Sequence, residues 1–377
     1  MSSFGGASSA GRGGGTSMGG STVSAGGASS GGASSGGAKA SGGASSGGTS
    51  NGGASSGGAS SGGTAGMTSA DQCPRLDPNQ PLQMLALSGN LGTHDPTLIA
   101  ANDQFYLFHT GSRLPTKTSN DLKVWQAGAP VFSANPSWIA QSVPGATDLW
   151  APDISFFGGV YHLYYSASTF GSNRSCIGHA TRSSLSSGNW TDHGSLICSN
   201  AGSAKDDWNA IDPNVVVDES ATPWLVFGSF WGGIKLLKLN TNGERADTQL
   251  LAVAARPAAK GALEAPVIVK ACGYYYLFVS WDACCASPFD YNIRFGRSTK
   301  LSGPYLDKAG KSMLEGGGSL LVAGTSSRKA PGHNAVLFAA GKAYNVYHAR
   351  DANNANPGLR IAELAWDEQS WPVSAGP

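Results

Sequence analysis

The chain has 377 residues, of which 13% are charged, and a formal net charge of +1. So neutral a surface offers no basic footprint for nucleic acid and no acidic tail, and it points to an uncharged partner. No stretch approaches the roughly 18 consecutive apolar residues of a membrane helix, so a membrane span is not expected.

Residues 1–72 repeat Gly, Ser and Ala, as in GGASSGGASSGG. Isolated Phe4, Met18, Val23 and Met67 are too few to bury a core that offsets the entropy of ordering, and the segment reads as a disordered linker or tether. A low-complexity extension with no spacing role fits the same composition. No charged and apolar leader is visible before it, so export, either into the medium or to a tether at the cell surface, is an expectation without a visible signal.

Residues 73–377 are long enough for one large core, and their hydrophobic runs are short and strand-like. Five times an acidic residue or histidine stands beside Pro or Gly or one residue from it, and an aromatic strand follows about ten residues later. The copies begin at HDPTLI (Asp95), APDISF (Asp153), IDPNVV (Asp212), EAPVIV (Glu264) and GHNAVLF (His333). The strands after them are FYLFHTG, YHLYYSAS, PWLVFGSF, YYYLFVSW and AYNVYHAR. Starts 58, 59, 52 and 69 residues apart suit one small antiparallel sheet per repeat, which predicts an all-β, five-bladed propeller. The first strand of each blade then lies at the centre, and four carboxylates and one histidine converge on one cavity. The tail LRIAELAWDEQSWP is expected to complete the last blade.

Six cysteines, at 73, 176, 198, 272, 284 and 285, suit an oxidising compartment. Cys176 and Cys198 flank one predicted hairpin, so a bridge between them is expected. Cys284 and Cys285 either bond to each other or send one member to Cys272, and buried free thiols are the alternative.

An Asp before Pro at a strand start is ordinarily a turn residue. Recurrence in a propeller changes that reading, because charges crowded into a confined centre raise at least one pKa and add nothing to stability. Two carboxyls across a sugar-sized cleft are what glycosidic hydrolysis requires, one protonated to donate to the leaving oxygen and one ionised to activate water or attack carbon.

HDPT at 94, LWAPD at 149, STFGSN at 168, NAIDPNVV at 209, GSFWGGI at 228, EAPVI at 264 and GHNAV at 332 stand in an order that resembles the propeller enzymes of glycoside hydrolase family 43. Within that family the chain is most similar to the endo-α-1,5-L-arabinanases. The resemblance implies Asp95 as general base, Glu264 as general acid and Asp212 as the carboxylate that orients the acid and raises its pKa. It also implies inversion, for which the carboxyls of base and acid stand about 6.5–9.5 Å apart, against about 5 Å for retention. Trp150, Phe170, Phe230 and Trp231 are the expected stacking platforms, Asn209 and Ser229 the polar contacts, and Gly171 a site of close backbone approach. Trp281 and Trp366 are expected to be packing residues, and Asp153 structural. His333 would bind a hydrated ion, usually calcium, although calcium prefers oxygen donors and a neutral hydrogen-bonded histidine is the alternative. The implied substrate is plant cell-wall arabinan or arabino-oligosaccharides, acted on by a monomer. An exo-acting arabinanase, arabinofuranosidase or xylosidase remains open, and a non-catalytic glycan-binding propeller is disfavoured by the presence of all three carboxylates.

Overall fold

A computed structural model of the chain describes residues 72–200, 207–353 and 356–377. The tether read over residues 1–72 therefore lies, but for Gln72, outside the described residues. The strands of the described part fall into five antiparallel sheets around a ring, the five-bladed propeller that the repeat predicts.

Blade one holds β1 (Ser88–Gly89), β2 (Thr97–Ala101), β3 (Gln104–Phe108), β4 (Thr116–Ser119) and β5 (Val124–Ala127), and blade two holds β6 (Leu149–Phe157), β7 (Val160–Ala167), β8 (Ser175–Arg182) and β9 (Thr191–Ser199). Blade three is β10 (Asn214–Val217), β11 (Pro223–Phe227), β12 (Ile234–Lys238) and β13 (Leu251–Ala254). Blade four is β14 (Leu263–Ala271), β15 (Tyr274–Trp281), β16 (Asn292–Ser298) and β17 (Ser319–Val322). Blade five is β18 (Arg328–Ala339), β19 (Lys342–Asp351), β20 (Pro357–Trp366) and β21 (Pro372–Ser374), so the tail completes it as expected. The α-helix among the described residues spans only Trp138–Ser142.

Local chemistry explains the inner hairpins. Four of them turn on two residues, Asn102–Asp103, Gly158–Gly159, Cys272–Gly273 and Ala340–Gly341, all at positive φ. Two consecutive left-handed residues match the twist of the flanking strands, which is why Asn, Asp and Gly gather there.

The core is distributed between blades. Side chains alternate across a strand, and a blade has a neighbour on each face, so both sets of a strand are buried. Tyr275, Leu277 and Val279 pack with Val216, Val226 and Leu236 of blade three. Tyr276 and Phe278, between them in sequence, pack with Tyr347, Leu364 and Trp366 of blade five. Similar clusters join blades one and two, two and three, and five and one. This accounts for near-continuous apolar runs such as YYYLFVSW. Trp366 is fully buried, and Trp281 is buried between Arg256 and Arg294, so both are packing residues as read.

The ring closes through the segment before β2. Met84 bridges to Ala362 and Gly92 to Gly358 in blade five, while β1 pairs in parallel with β5 of blade one. Cys73 is bonded to Cys272, Cys176 to Cys198 across β8 and β9, and Cys284 to Cys285. The second bond is the expected hairpin bridge, the third is the adjacent pair, and Cys272 takes the partner that its spacing did not reveal.

Candidate active site

The inner strands share a kink that aims side chains at the centre. Asp95, Ala151, Asp212, Ala265 and His333 all have positive φ, between +43° and +59°. Left-handed backbone in non-glycine residues costs energy and recurs at functional sites. The first four kinked residues precede Pro96, Pro152, Pro213 and Pro266, and the kink interrupts pairing with the second strand at Trp150/Asp153, Glu264/Val267 and Gly332/Ala335.

This register departs from the sequence alignment in two blades, and in blade four Glu264 stands one residue before the kink at Ala265. Asp153 lies two residues beyond the kink of its blade and does not face the cavity. Its buried carboxylate accepts hydrogen bonds from Asn214 Nδ2 and the Val215 amide, both at 2.9 Å, and so ties blade two to blade three. Asn214, at the equivalent place in blade three, accepts from the Ile268 amide of blade four at 2.9 Å. Burial, against these donors, pushes the Asp153 carboxyl up to about 6. Three carboxylates and His333 converge, not four.

Each kinked amide also needs an acceptor, and the preceding blade supplies it, in four blades from its second strand or the turn just after that strand. His348 Nδ1 accepts from Asp95 N at 3.1 Å, Thr110 Oγ1 from Ala151 N at 2.8 Å, Ser166 Oγ from Asp212 N at 3.0 Å and Ser280 Oγ from His333 N at 2.9 Å. At the junction of blades three and four the pattern changes. The Ala265 amide goes to Asp212 Oδ2 at 3.0 Å, which frees the Ser229 hydroxyl to donate to Glu264 Oε2 at 2.8 Å. Asp212 and Glu264 are thereby fixed by neighbouring residues of one junction.

A cavity of about 720 Å³ opens over this centre. Its wall includes every site residue expected from sequence: Asp95, Asp212, Glu264, Trp150, Phe170, Gly171, Asn209, Ser229, Phe230, Trp231 and His333. Phe170 is 81% exposed and Trp231 44%, an unusual state for large apolar rings and one that suits stacking on a ligand. Trp150 meets Phe170 edge-on, with centroids 6.4 Å apart. The GSFWGG turn holds Phe230 and Trp231 at φ +52° and +40°, and the Phe230 amide is tied to Leu263 O at 2.8 Å. Gly171 has φ +76°, and no protein atom would meet a Cβ there. Asn209 lies in the cavity wall but is buried, and its Oδ1 has no hydrogen-bond partner among the described residues.

Electrostatics separates the three carboxyls. Burial pushes Asp95 upward, but His94, His333 and His348 outweigh it and hold the carboxyl well below its usual range. His94 Nδ1 lies 2.8 Å from Asp95 Oδ2, His333 Nδ1 3.2 Å and His348 Nδ1 3.5 Å from Asp95 Oδ1, and Thr110 donates to Oδ2 at 2.6 Å. Asp212 is buried beside Glu264 and Asp95, and desolvation followed by those charges raises its pKa well above the ordinary value. Glu264 keeps a window onto the cavity, yet the loss of water around it and the charge of Asp95 raise it against the hydrogen bonds of Ser229 and Tyr291. The sequence reading placed the raised pKa on Glu264 alone. In the structure both members are raised, so the pair holds a proton to higher pH than an isolated carboxyl. The arrangement offers one ionised carboxylate and one proton donor to the same space.

His94, Thr110, His348 and Tyr291 did not emerge from sequence reading, nor did the Cys284–Cys285 pair and Lys260 as parts of the cavity wall. Aligning the repeats on proline, with Asp95 and Asp212 before it, would have marked the column of kinks and placed His94 and Glu264 together in the column preceding it.

The donor set around His333 is poor in oxygen. Among the described residues, the sets of three close donors here are His94, Asp95, His348 and His94, Cys284, Cys285, and His333 belongs to neither. Nitrogen and sulfur outnumber oxygen, whereas calcium takes six to eight oxygens. Directly ligated calcium does not fit these residues, and an ion beside His333 would be held almost wholly by water.

The sequence pattern of glycosyl hydrolases family 43 matches residues 89–372. An extracellular endo-α-(1→5)-L-arabinanase of Bacillus subtilis (strain 168) is 44% identical over 286 residues, 74% of this chain and 86% of the relative. An extracellular exo-α-(1→5)-L-arabinofuranosidase of Cellvibrio japonicus is 39% identical over 297 residues, 74% of this chain and 85% of that protein. The solved structure of a family 43 endo-arabinanase from Bacillus licheniformis superposes with a TM-score of 0.73 at 44% identity, over 77% of this chain and 99% of that one.

Proposed function

The chain belongs to glycosyl hydrolases family 43 and is a glycoside hydrolase, and from that premise we propose that it cleaves internal α-1,5-L-arabinofuranosidic bonds of linear arabinan with inversion of configuration. The observation that carries this reading is the split among three carboxyls in one cavity, Asp95 held ionised while Asp212 and Glu264 are raised.

In this mechanism Asp95 accepts a proton from a water that attacks the anomeric carbon, and Glu264 donates its proton to the departing glycosidic oxygen. Asp212 holds the backbone beside the acid through the Ala265 amide and, as the other raised member of the pair, shares with Glu264 the proton that the pair retains. Phe170, Trp150 and Trp231 form apolar faces for furanose rings, and Asn209 and Ser229 are the polar groups of the wall beside them. The endo assignment draws on the Bacillus relatives, and the exo-acting Cellvibrio relative supports the second reading, in which one end of the groove is closed. Export completes the proposal, since both of those relatives are extracellular, and a monomeric state is part of it without resting on them. A hydrated calcium ion at His333 is a separable part, tested by loss of activity on chelation and its return with calcium; no step here runs through it.

The test is hydrolysis of debranched linear arabinan, with viscosity and reducing ends followed together while proton NMR reports the anomer first released. Viscosity falling ahead of reducing ends, with inverted product, is the expected result. Release of monomer or a single short oligomer transfers the reading to an exo enzyme, and a retained anomer overturns the assignment of Asp95 as base.

A further inference from the structure

The loop between β15 and β16 carries Cys284 and Cys285, bonded to each other, and both line the cavity. A cross-link between neighbours in sequence closes no loop of the unfolded chain, so chain entropy assigns it almost no stabilisation, whereas Cys73–Cys272 spans 199 residues. The adjacent bond thus has little part in holding the propeller together. Its contact is with the site. Cys285 Sγ lies 3.6 Å from His94 Nε2, the opposite ring nitrogen is 2.8 Å from Asp95 Oδ2, and the ring face stacks on His348 with centroids 4.2 Å apart. His94 is gripped at both nitrogens and one face.

We propose that the Cys284–Cys285 disulfide positions His94, and through it the carboxylate of Asp95, so that the covalent state of the sulfur pair sets the alignment of the general base. The inference rests on the reading of Asp95 as that base. Two sulfurs bonded at about 2.05 Å present a fixed surface without protons. Such a sulfur accepts weakly and donates nothing, so the ring keeps one orientation between sulfur and carboxylate. Reduction by a dithiol adds two electrons and two protons to the pair, breaking the S–S bond and forming two S–H bonds while the dithiol closes to its cyclic disulfide. The sulfurs then part to a non-bonded contact, each turns about its own χ1, and the Cys285 thiol becomes a donor toward Nε2. His94 loses its fixed orientation, and the hydrogen bond from Thr110 at 2.6 Å is left to hold Asp95 Oδ2.

The experiment takes the folded enzyme, its His94→Asn variant and its Asp95→Asn variant, each before and after mild dithiothreitol, with alkylation and mass spectrometry to map the thiols. Where the other two disulfides are also reduced, Cys284→Ala/Cys285→Ala replaces reduction, with a melting curve matched to the parent. His94→Asn keeps an N–H donor near the place of Nδ1 and has no atom to meet Cys285. On linear arabinan the parent is expected to lose about fivefold to tenfold in kcat with KM unchanged, the worth of one aligned hydrogen bond. Reoxidation restores the reduced parent, and His94→Asn starts lower but does not respond to the dithiol. An unchanged parent, a loss confined to KM, or an equal proportional loss in His94→Asn overturns the proposal. Full activity in Asp95→Asn sinks the base assignment instead, so the two failures are distinguishable.

Discussion

Replacing Ser229 by alanine tests the electrostatics of Glu264, the proposed proton donor, most directly. The Ser229 hydroxyl donates to Glu264 Oε2 at 2.8 Å and stabilises the ionised carboxylate, so it opposes the burial that raises Glu264. A hydrogen bond to a charged group contributes about 1.5–3 kcal/mol, and about 1.36 kcal/mol corresponds to one pH unit. Glu264 faces the cavity and keeps its bond from Tyr291, so the low end of that range applies and the shift is about one unit. The sign follows from the charge state: losing a donor to the ionised form raises the pKa, so the acid stays protonated to higher pH. The basic limb of kcat/KM on a linear arabino-oligosaccharide should therefore move to higher pH in Ser229→Ala and stay in place in Ser229→Thr. Because Asp212 and Glu264 titrate together, the limb reports the pair, but the direction is the same. A limb that stays still or moves to lower pH in Ser229→Ala would falsify the assignment of Glu264 as the acid tuned by this hydroxyl.

Phe170→Ala should raise KM for arabinan about fivefold with no change in melting temperature, because the ring is 81% exposed and stacking is its whole contribution; an unchanged KM removes Phe170 from the binding surface. Asp153→Asn should cost about 1–3 kcal/mol in denaturant unfolding and leave kcat near that of the parent, since its carboxylate satisfies Asn214 and Val215 away from the cavity; a selective loss of kcat would return it to the reaction. In blade two, His162 Nδ1 and His179 Nε2 are 3.0 Å apart, and burial lowers the two imidazoles from an ordinary 6.5 to about 4 and about 3. The folded protein binds fewer protons there than the unfolded chain, so this stability is present above pH 6.5 and is lost as pH falls through the window toward those lowered values. Melting temperature should drop more steeply across that window in the parent than in His162→Gln/His179→Gln, and equal slopes count against the account.

The blade number and the three carboxylates were legible because each rests on local sequence. A near-continuous apolar run such as YYYLFVSW marks a strand buried on both faces, and HDP, IDP and EAP mark strand starts that carry acid. Asp153 was misplaced because its blade carries an acid two residues past the kink, and sequence shows an acid beside Pro without showing which residue takes the positive φ. His348 could not be found in this way, since it reaches Asp95 across the closure of the ring from a residue 253 positions away.

By itself the sequence determined the period, the strand character and the chemical types that reach the centre, all of which depend on side-chain alternation and turn preferences within a few residues. The tertiary structure alone decided which carboxyl is charged. Asp95 and Asp212 occupy the same kinked position before proline, yet one is surrounded by three imidazoles and the other by a second carboxyl. A pKa follows from burial and from charges brought close by folding, and neither is written in the residues on either side.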